Sequence, residues 1–307
     1  MKILVTGASG FIGDSICRYF YDNLHADVIG WDINVLEKSW PIKTINLKDI
    51  NAIQIGLQEI KPNIIIHCAG AADVGRSVQE PVMDYESNVT ITHNIFFALL
   101  KSSIPNVRVV FLSSAGVYGN PVCLPINENT KLNPLSPYAL HKVMCEDICK
   151  YFHRNYNIDV KIARVFSAYG EGLKKQIFWD MYNKGCLVKN GQKQKLEMWG
   201  TGKESRDYIY IRDLIHALCL IATKSPKEEL IYNVANGEEI TIRTAAEVFA
   251  DSFGLNKDCI EFNGKGHEGN PINWRADISK LRLLGFKRSV SFEEGVHNYV
   301  KWVKEQQ

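Results

Sequence analysis

The sequence predicts an α/β fold in which a doubly wound parallel sheet is covered by helices on both faces. Short, continuously apolar runs of strand length alternate with longer stretches of helical spacing, the pattern left by parallel crossover units. The first apolar run also breaks directly into a glycine-rich turn that opens a helix. With 307 residues, 46% of them apolar and 23% charged, the chain has the ordinary balance of a globular protein.

Taken in order, Lys2–Val5 reads as a buried strand, Phe11–Tyr21 as a helix, Val28–Trp31 as a second strand and Ile64–His67 as a third or fourth. Ile91–Leu100 is a helix, Val107–Leu112 a strand, Tyr138–Asn155 a long helix and Val160–Val165 another strand. Beyond about Phe166 the alternation loosens. Helices then stand in isolation at Arg212–Ala222, Thr244–Phe253 and Phe292–Lys304, the last opened by a capping box of Ser291 and Glu294.

Charge and cysteine usage exclude several classes. There are 36 basic and 34 acidic side chains, a net charge of +2, which is not the balance of a nucleic-acid binder. The total conceals a local excess: Lys174 to Arg206 holds eight basic residues against three acidic ones, enough for a small anionic ligand. No apolar run approaches the roughly 20 residues that span a bilayer, and Met1–Gly7 turns too soon for a secretory signal. Neither membrane nor nucleic acid is expected as a partner. The 8 cysteines, with no pair at two-residue spacing, are too sparse for a disulfide scaffold and fit reduced thiols in the cytoplasm. His141, Cys145 and Cys149 recur every four residues, but three turns spread them too far for one tetrahedral metal ion. They read as a buried stripe, and no metal is expected.

The turn Thr6-Gly7-Ala8-Ser9-Gly10-Phe11-Ile12-Gly13 has glycines suited to a tight turn, a close approach to pyrophosphate, and helix-on-strand packing. The helix N-terminus then offers N–H groups and partial positive charge to phosphates. Asp32, 19 residues after Gly13, ends the second strand where a carboxylate accepts both ribose hydroxyls. It would repel a 2′-phosphate, so NAD is expected rather than NADP. Residues 1–166 are accordingly expected to form a Rossmann-type NAD-binding domain that also carries the catalytic residues. Residues 167–307 form a smaller C-terminal α/β substrate-binding lobe, some segments of which return to the first sheet.

Tyr138 and Lys142 lie one helical turn apart, so both project from one face. A phenol with an ordinary pKa of about 10 is a poor base near neutrality. A Lys ammonium and an oxidised nicotinamide close by both favour its phenolate, which can then remove an alcohol proton. Ser114, following the strand Val107–Leu112, is suited to hydrogen-bond the same oxygen.

The spacing of these glycines resembles the extended short-chain dehydrogenase/reductase family. Phe111-Leu112-Ser113-Ser114-Ala115-Gly116-Val117-Tyr118-Gly119 and Ser136-Pro137-Tyr138-Ala139-Leu140-His141-Lys142 are similar to its nucleotide-sugar epimerase and dehydratase branch. The resemblance implies Ser114 as hydroxyl partner, Tyr138 as acid/base and Lys142 as the cation that binds ribose and eases phenolate formation. It implies cofactor contacts from Gly7, Ser9, Gly10, Phe11, Ile12, Gly13 and Asp32, and from Asn46-Leu47 at the adenine, where the family more often has Asp. Ala69, Gly70 and Ala71 fall in the loop on the nicotinamide side, and Asn88 matches the family's Asn in the next helix. On the substrate side, Ser167 stands where the family has an Asn, and Glu171 where it commonly has Pro. Arg206 and Arg275 resemble diphosphate-binding arginines, for which a guanidinium fork is suited. The 4,6-dehydratases carry Asp-Glu beside the serine. Ala115-Gly116 cannot transfer protons, which argues against dehydration.

The expected activity is therefore an NAD-dependent epimerase acting at carbon 4 of a nucleotide-diphosphate hexose. A reductase of a nucleotide-bound 4-keto-6-deoxy sugar uses the same triad, and a non-catalytic NAD sensor is the third alternative. The family commonly forms homodimers by pairing the helices at Ile91–Leu100 and Tyr138–Asn155, with Ile95, Phe96, Leu99 and Val143 as apolar candidates that the core would need in any case.

Overall fold

Seven parallel strands form the central sheet of the computed structural model, which describes residues 1–34, 38–265 and 271–306. In chain order the elements begin with β1 (Lys2–Thr6), α1 (Phe11–Arg18), β2 (Asp27–Asp32), β3 (Ile42–Thr44), α2 (Ile50–Ile60) and β4 (Ile64–His67). Next come α3 (Val74–Gln79), α4 (Pro81–Tyr85), α5 (Ile91–Ser102), β5 (Arg108–Ser114), α6 (Pro137–Tyr156) and β6 (Asp159–Val165). The second half holds β7 (Ser167–Tyr169), α7 (Gln176–Lys189), β8 (Leu196–Met198), β9 (Ser205–Arg206), β10 (Tyr208–Tyr210) and α8 (Ile211–Lys224). It closes with β11 (Ile231–Val234), β12 (Ile240–Thr241), α9 (Ile242–Phe253), β13 (Ile260–Phe262), α10 (Ser279–Leu283) and α11 (Phe292–Glu305). The sheet order is β11-β6-β5-β4-β1-β2-β3.

Strand alternation divides the core between the two faces. Ile3, Val5, Ile64, Ile66 and Val110 pack on one side with α1 and α8, while Leu4, Ile65, Val109 and Phe111 pack on the other with α2, α5 and α6. Burial on both faces is why β4 is apolar at every position but its last, where His67 stands. The helix boundaries follow local chemistry. Ser136 accepts the Ala139 N–H at 3.2 Å and Pro137 occupies the first turn of α6, which ends where Asn157 turns left-handed. Ser291 accepts the Glu294 N–H at 3.1 Å, as the capping box predicts.

The expected strands and helices are present, with extensions of a few residues. Helix α1 stops at Arg18 and continues to Asn23 as a wider turn. Five helices among the described residues have no counterpart in the sequence reading: α2, the short α3 and α4, α7 and the short α10. β11 joins β6 at the sheet edge, so a segment of the second half completes the first sheet. No helix among the described residues is long and apolar enough to cross a membrane. His141, Cys145 and Cys149 are all buried, as the stripe predicts, and His141 Nδ1 lies 2.6 Å from the buried Asp84 carboxylate. Ile95, Phe96 and Leu99 are likewise core residues.

Candidate active site

The turn after β1 is shaped by contacts that exclude side chains. Gly7 has φ +69°, and a Cβ there would lie 2.7 Å from the Ala69 nitrogen. A Cβ on Gly13 would lie 2.1 Å from the Gly7 carbonyl oxygen. The Gly10 N–H donates to that same oxygen at 3.0 Å, and no side chain caps α1. The first-turn N–H groups of Phe11, Ile12 and Gly13 therefore face outward for an anion. At the end of β2, one Asp32 oxygen accepts the Ser9 N–H at 2.9 Å and the other the Asn34 N–H at 3.0 Å. The carboxylate is thus held beside the turn with lone pairs left for ribose hydroxyls.

Behind this cradle lies a buried polar relay. Thr6 Oγ1 is 2.6 Å from His67 Nδ1, and His67 Nε2 is 3.2 Å from Thr92 Oγ1. Thr92 donates its hydroxyl proton to the Asn88 carbonyl at 2.7 Å, so it accepts from Nε2–H, and Nδ1 accepts from Thr6. Burial, reinforced by the Lys142 ammonium, pushes the His67 imidazole down to about 3, which keeps it neutral. Asn88 sits beneath the loop after β4: a Cβ on Gly70 would meet its Oδ1 at 2.7 Å, and its amide donates to the Asp84 carbonyl at 3.0 Å. Asn46 Oδ1 accepts the Lys48 N–H at 3.0 Å, and Asn94 donates to the Leu47 carbonyl at 3.0 Å. Both contacts fix the segment between β3 and α2.

Ser114, Tyr138 and Lys142 open onto one cavity of about 950 Å³, with Ile12, Gly70 and Ala71 at its cofactor end. Ser114 Oγ accepts the Gly116 N–H at 3.1 Å, which leaves its proton for a ligand oxygen. Lys142 donates to the Leu112 carbonyl at 3.0 Å and holds its ammonium 5.9 Å from the centre of the Tyr138 ring. A Cβ on Gly116 would lie 3.3 Å from Ser114 Oγ, close enough that the serine hydroxyl would have to shift by a few tenths of an ångström.

Ser167, Trp199, Arg206 and Trp274 line the other end. Arg206 donates to the Ser205 and Ile272 carbonyls at 2.7 and 3.2 Å and lies over the Trp274 ring. Burial holds its pKa below the ordinary arginine value. Arg275 is half-buried beside Trp274 and is not among the residues lining the cavity. Glu171, in the place of the family's proline, accepts from the Tyr210 hydroxyl and also stays off the cavity wall. Sequence reasoning missed Lys175, which lines the cavity and donates to the Ala72 carbonyl at 3.0 Å, across 103 residues of chain. Burial pulls its pKa down. Its only signal in the sequence was membership of the basic segment.

A glycine turn beside the Asp32 carboxylate, with Ser114, Tyr138 and Lys142 on one cavity, is the arrangement of an enzyme of dinucleotide-dependent oxidation and reduction. The chain belongs to the NAD dependent epimerase/dehydratase family, whose model matches residues 3–235. It is 32% identical to a putative UDP-glucose 4-epimerase of Methanocaldococcus jannaschii, over 98% of both chains. Its structure is similar to the UDP-N-acetylglucosamine 4-epimerase of Methanobrevibacter ruminantium in complex with UDP-N-acetylmuramic acid. Identity there is 28% and the TM-score 0.87, over 100% of this chain and 99% of the other. It is also similar to the UDP-glucuronic acid 4-epimerase of Bacillus cereus in complex with UDP-glucuronic acid and NAD, at 25% identity and a TM-score of 0.88, with 100% of both chains covered. NAD is the cofactor. The uncapped N-terminus of α1 after the glycine turn fits its pyrophosphate, and the Asp32 carboxylate fits its unphosphorylated adenosine ribose.

Proposed function

We propose that the protein is an NAD-dependent nucleotide-sugar epimerase that inverts carbon 4 of a nucleotide-diphosphate hexose through a transient 4-keto sugar. The observation behind this reading is that Ser114, Tyr138, Lys142 and Arg206 share one cavity. Bound NAD supplies reversible hydride transfer at carbon 4. Tyr138 takes the C4 hydroxyl proton and later returns it, and Ser114 donates a hydrogen bond to that oxygen. Lys142, anchored on the Leu112 carbonyl, keeps positive charge beside the phenol and reaches the cofactor ribose. Arg206 retains the diphosphate while the keto sugar turns its other face to the cofactor. Ser167, on the cavity wall, is the further substrate contact in this reading, whereas Arg275 lies off that wall. Asn46, Leu47, Ala69, Gly70, Ala71 and Asn88 complete the cofactor site around Ser9, Phe11 and Ile12. Ala115 and Gly116 provide no second proton-transfer group, which favours inversion over water loss.

The N-terminal NAD-binding domain and C-terminal substrate lobe divide the work near residue 166, with β11 bridging them. The assembly is a homodimer that pairs α5 and α6, where Leu140, Met144 and Tyr151 are exposed apolar side chains of α6. The cytoplasm is its compartment, consistent with the eight free cysteines, of which Cys17, Cys145, Cys149 and Cys219 are buried.

The test is to purify the protein, assay for co-purifying NAD, and incubate it with UDP-, GDP-, CDP- and dTDP-hexoses without added cofactor. C4 interconversion with no net change of NAD is expected. Tyr138→Phe should retain NAD and lose about a thousandfold in kcat. Turnover confined to a 4-keto sugar with added reduced cofactor would replace this reading with the reductase.

A further inference from the structure

Glu146 lies one turn beyond Lys142 and two beyond Tyr138, on the same face of α6. Its side chain is 0% exposed, and its bidentate partner Arg164 on β6 is 2% exposed. Arg164 Nε donates to Glu146 Oε1 at 2.8 Å and Nη2 to Oε2 at 2.7 Å. Glu146 Oε1 also accepts the Ser113 hydroxyl at 2.7 Å. Ser113 immediately precedes Ser114.

The contacts continue around the site. Arg164 Nη1 donates to the Tyr118 hydroxyl at 2.8 Å and to the Glu128 carbonyl at 2.9 Å. Tyr118, in the short helical turn that follows Ser114, donates to Asn233 Oδ1 on β11 at 2.6 Å. Asn233 in turn donates its backbone N–H to Glu128 Oε1 at 2.9 Å. One buried ion pair therefore ties together the residue before Ser114, the turn after it, the helix bearing Tyr138 and Lys142, and two neighbouring strands.

Such a pair is a poor source of stability. The desolvation of two charges rivals their attraction, and apolar replacements of similar volume are often neutral or stabilising. What it supplies is geometry. Lys142 on the Leu112 carbonyl and Glu146 on the Ser113 hydroxyl are consecutive turns of α6 locked to consecutive residues of β5. Ser114 is the next residue. A helix that slid or rotated on the strand would break both bonds and move the Tyr138 hydroxyl away from the oxygen that Ser114 holds.

We infer that Glu146 and Arg164 are positioning residues, whose buried pair sets the register of α6 on β5 and so aligns Tyr138 and Lys142 with Ser114. The inference rests on the proton-transfer role of Tyr138 in the proposed reaction.

The test compares wild type with Ser113→Ala, which unhooks the pair from the strand without disturbing it, and with the double variant Glu146→Leu/Arg164→Met. The double variant relieves the desolvation of two charges but leaves the Ser113 hydroxyl and Glu128 carbonyl without a partner. It is therefore expected to melt within about 5 °C of wild type yet to lose about a hundredfold in kcat, with KM for the nucleotide sugar within about twofold. Ser113→Ala should lose about tenfold in kcat with KM and melting temperature unchanged. Hydrogen exchange on the sugar-free protein should quicken in the first turns of α6 and nowhere else in the sheet-facing helices. A double variant with wild-type kcat overturns the inference, as does a loss that follows a larger fall in melting temperature. The exchange measurement needs no substrate. A wild type inactive on every sugar would therefore sink the epimerase reading, while local exchange in the variants would still decide the role of the pair.

Discussion

Gly13 illustrates how a single position can be set by what its neighbours forbid. One methyl group there would overlap the Gly7 carbonyl, and that carbonyl is already fixed by the Gly10 N–H. Gly13→Ala should therefore abolish the NAD-dependent rise in melting temperature, measured by thermal denaturation with and without excess NAD, even if the variant folds. His67 makes a different kind of prediction. Its imidazole is held down to about 3 from an ordinary 6.5. The unfolded chain therefore binds the extra proton first, and stability falls as pH drops below about 6.5. Between about pH 6.5 and 5 the loss should be about 1.5 kcal/mol, read as the difference in chemical denaturation between wild type and His67→Asn. Ser114, Tyr138 and Lys142 were legible because each sits in a short local pattern that fixes where its side chain points. Lys175 and Glu146 were not, because what makes them matter is contact with Ala72 and Arg164, remote in sequence.

Among the elements, α6 carries the most. It presents Tyr138 and Lys142 to the cavity, buries Cys145 and Cys149, and leaves Leu140 and Met144 outside. Its start is written locally in Ser136 and Pro137, and Ser136→Ala should cost about 1 kcal/mol in denaturant unfolding, with NAD affinity little changed. The strands β1, β4 and β5 could be read from their apolar runs, because burial on both faces favours continuous apolar residues; β6 carries buried Lys161 and Arg164 within it. Helix α7 was not read as a helix. It has no side-chain cap, and its mixed face packs against both β8 and α9 rather than against one surface. Strand β11 is only four residues long, and pairing with β6, not its own composition, makes it part of the central sheet.

At the scale of the molecule, the two halves are interleaved: β11 and α8 belong to the second half of the chain yet pack on the sheet of the first. The proposed dimer follows from the exposed apolar side chains on α6, and Met144→Glu should convert it to a monomer in analytical ultracentrifugation while leaving NAD bound. By itself the sequence determined the parallel α/β class and the glycine turn after β1, and it singled out Asp32 at the end of β2 and Ser114, Tyr138 and Lys142, three residues that line one cavity. Each of these depends on spacing within one strand, turn or helix, which local geometry converts directly into position. Only the tertiary structure decided that Arg206, Trp199 and Lys175 share a cavity with the triad, that Glu171 is occupied by Tyr210, and that a buried Glu146–Arg164 pair underlies the site. Those contacts join residues far apart in sequence. They arise from how helices settle on a sheet, which no local pattern encodes.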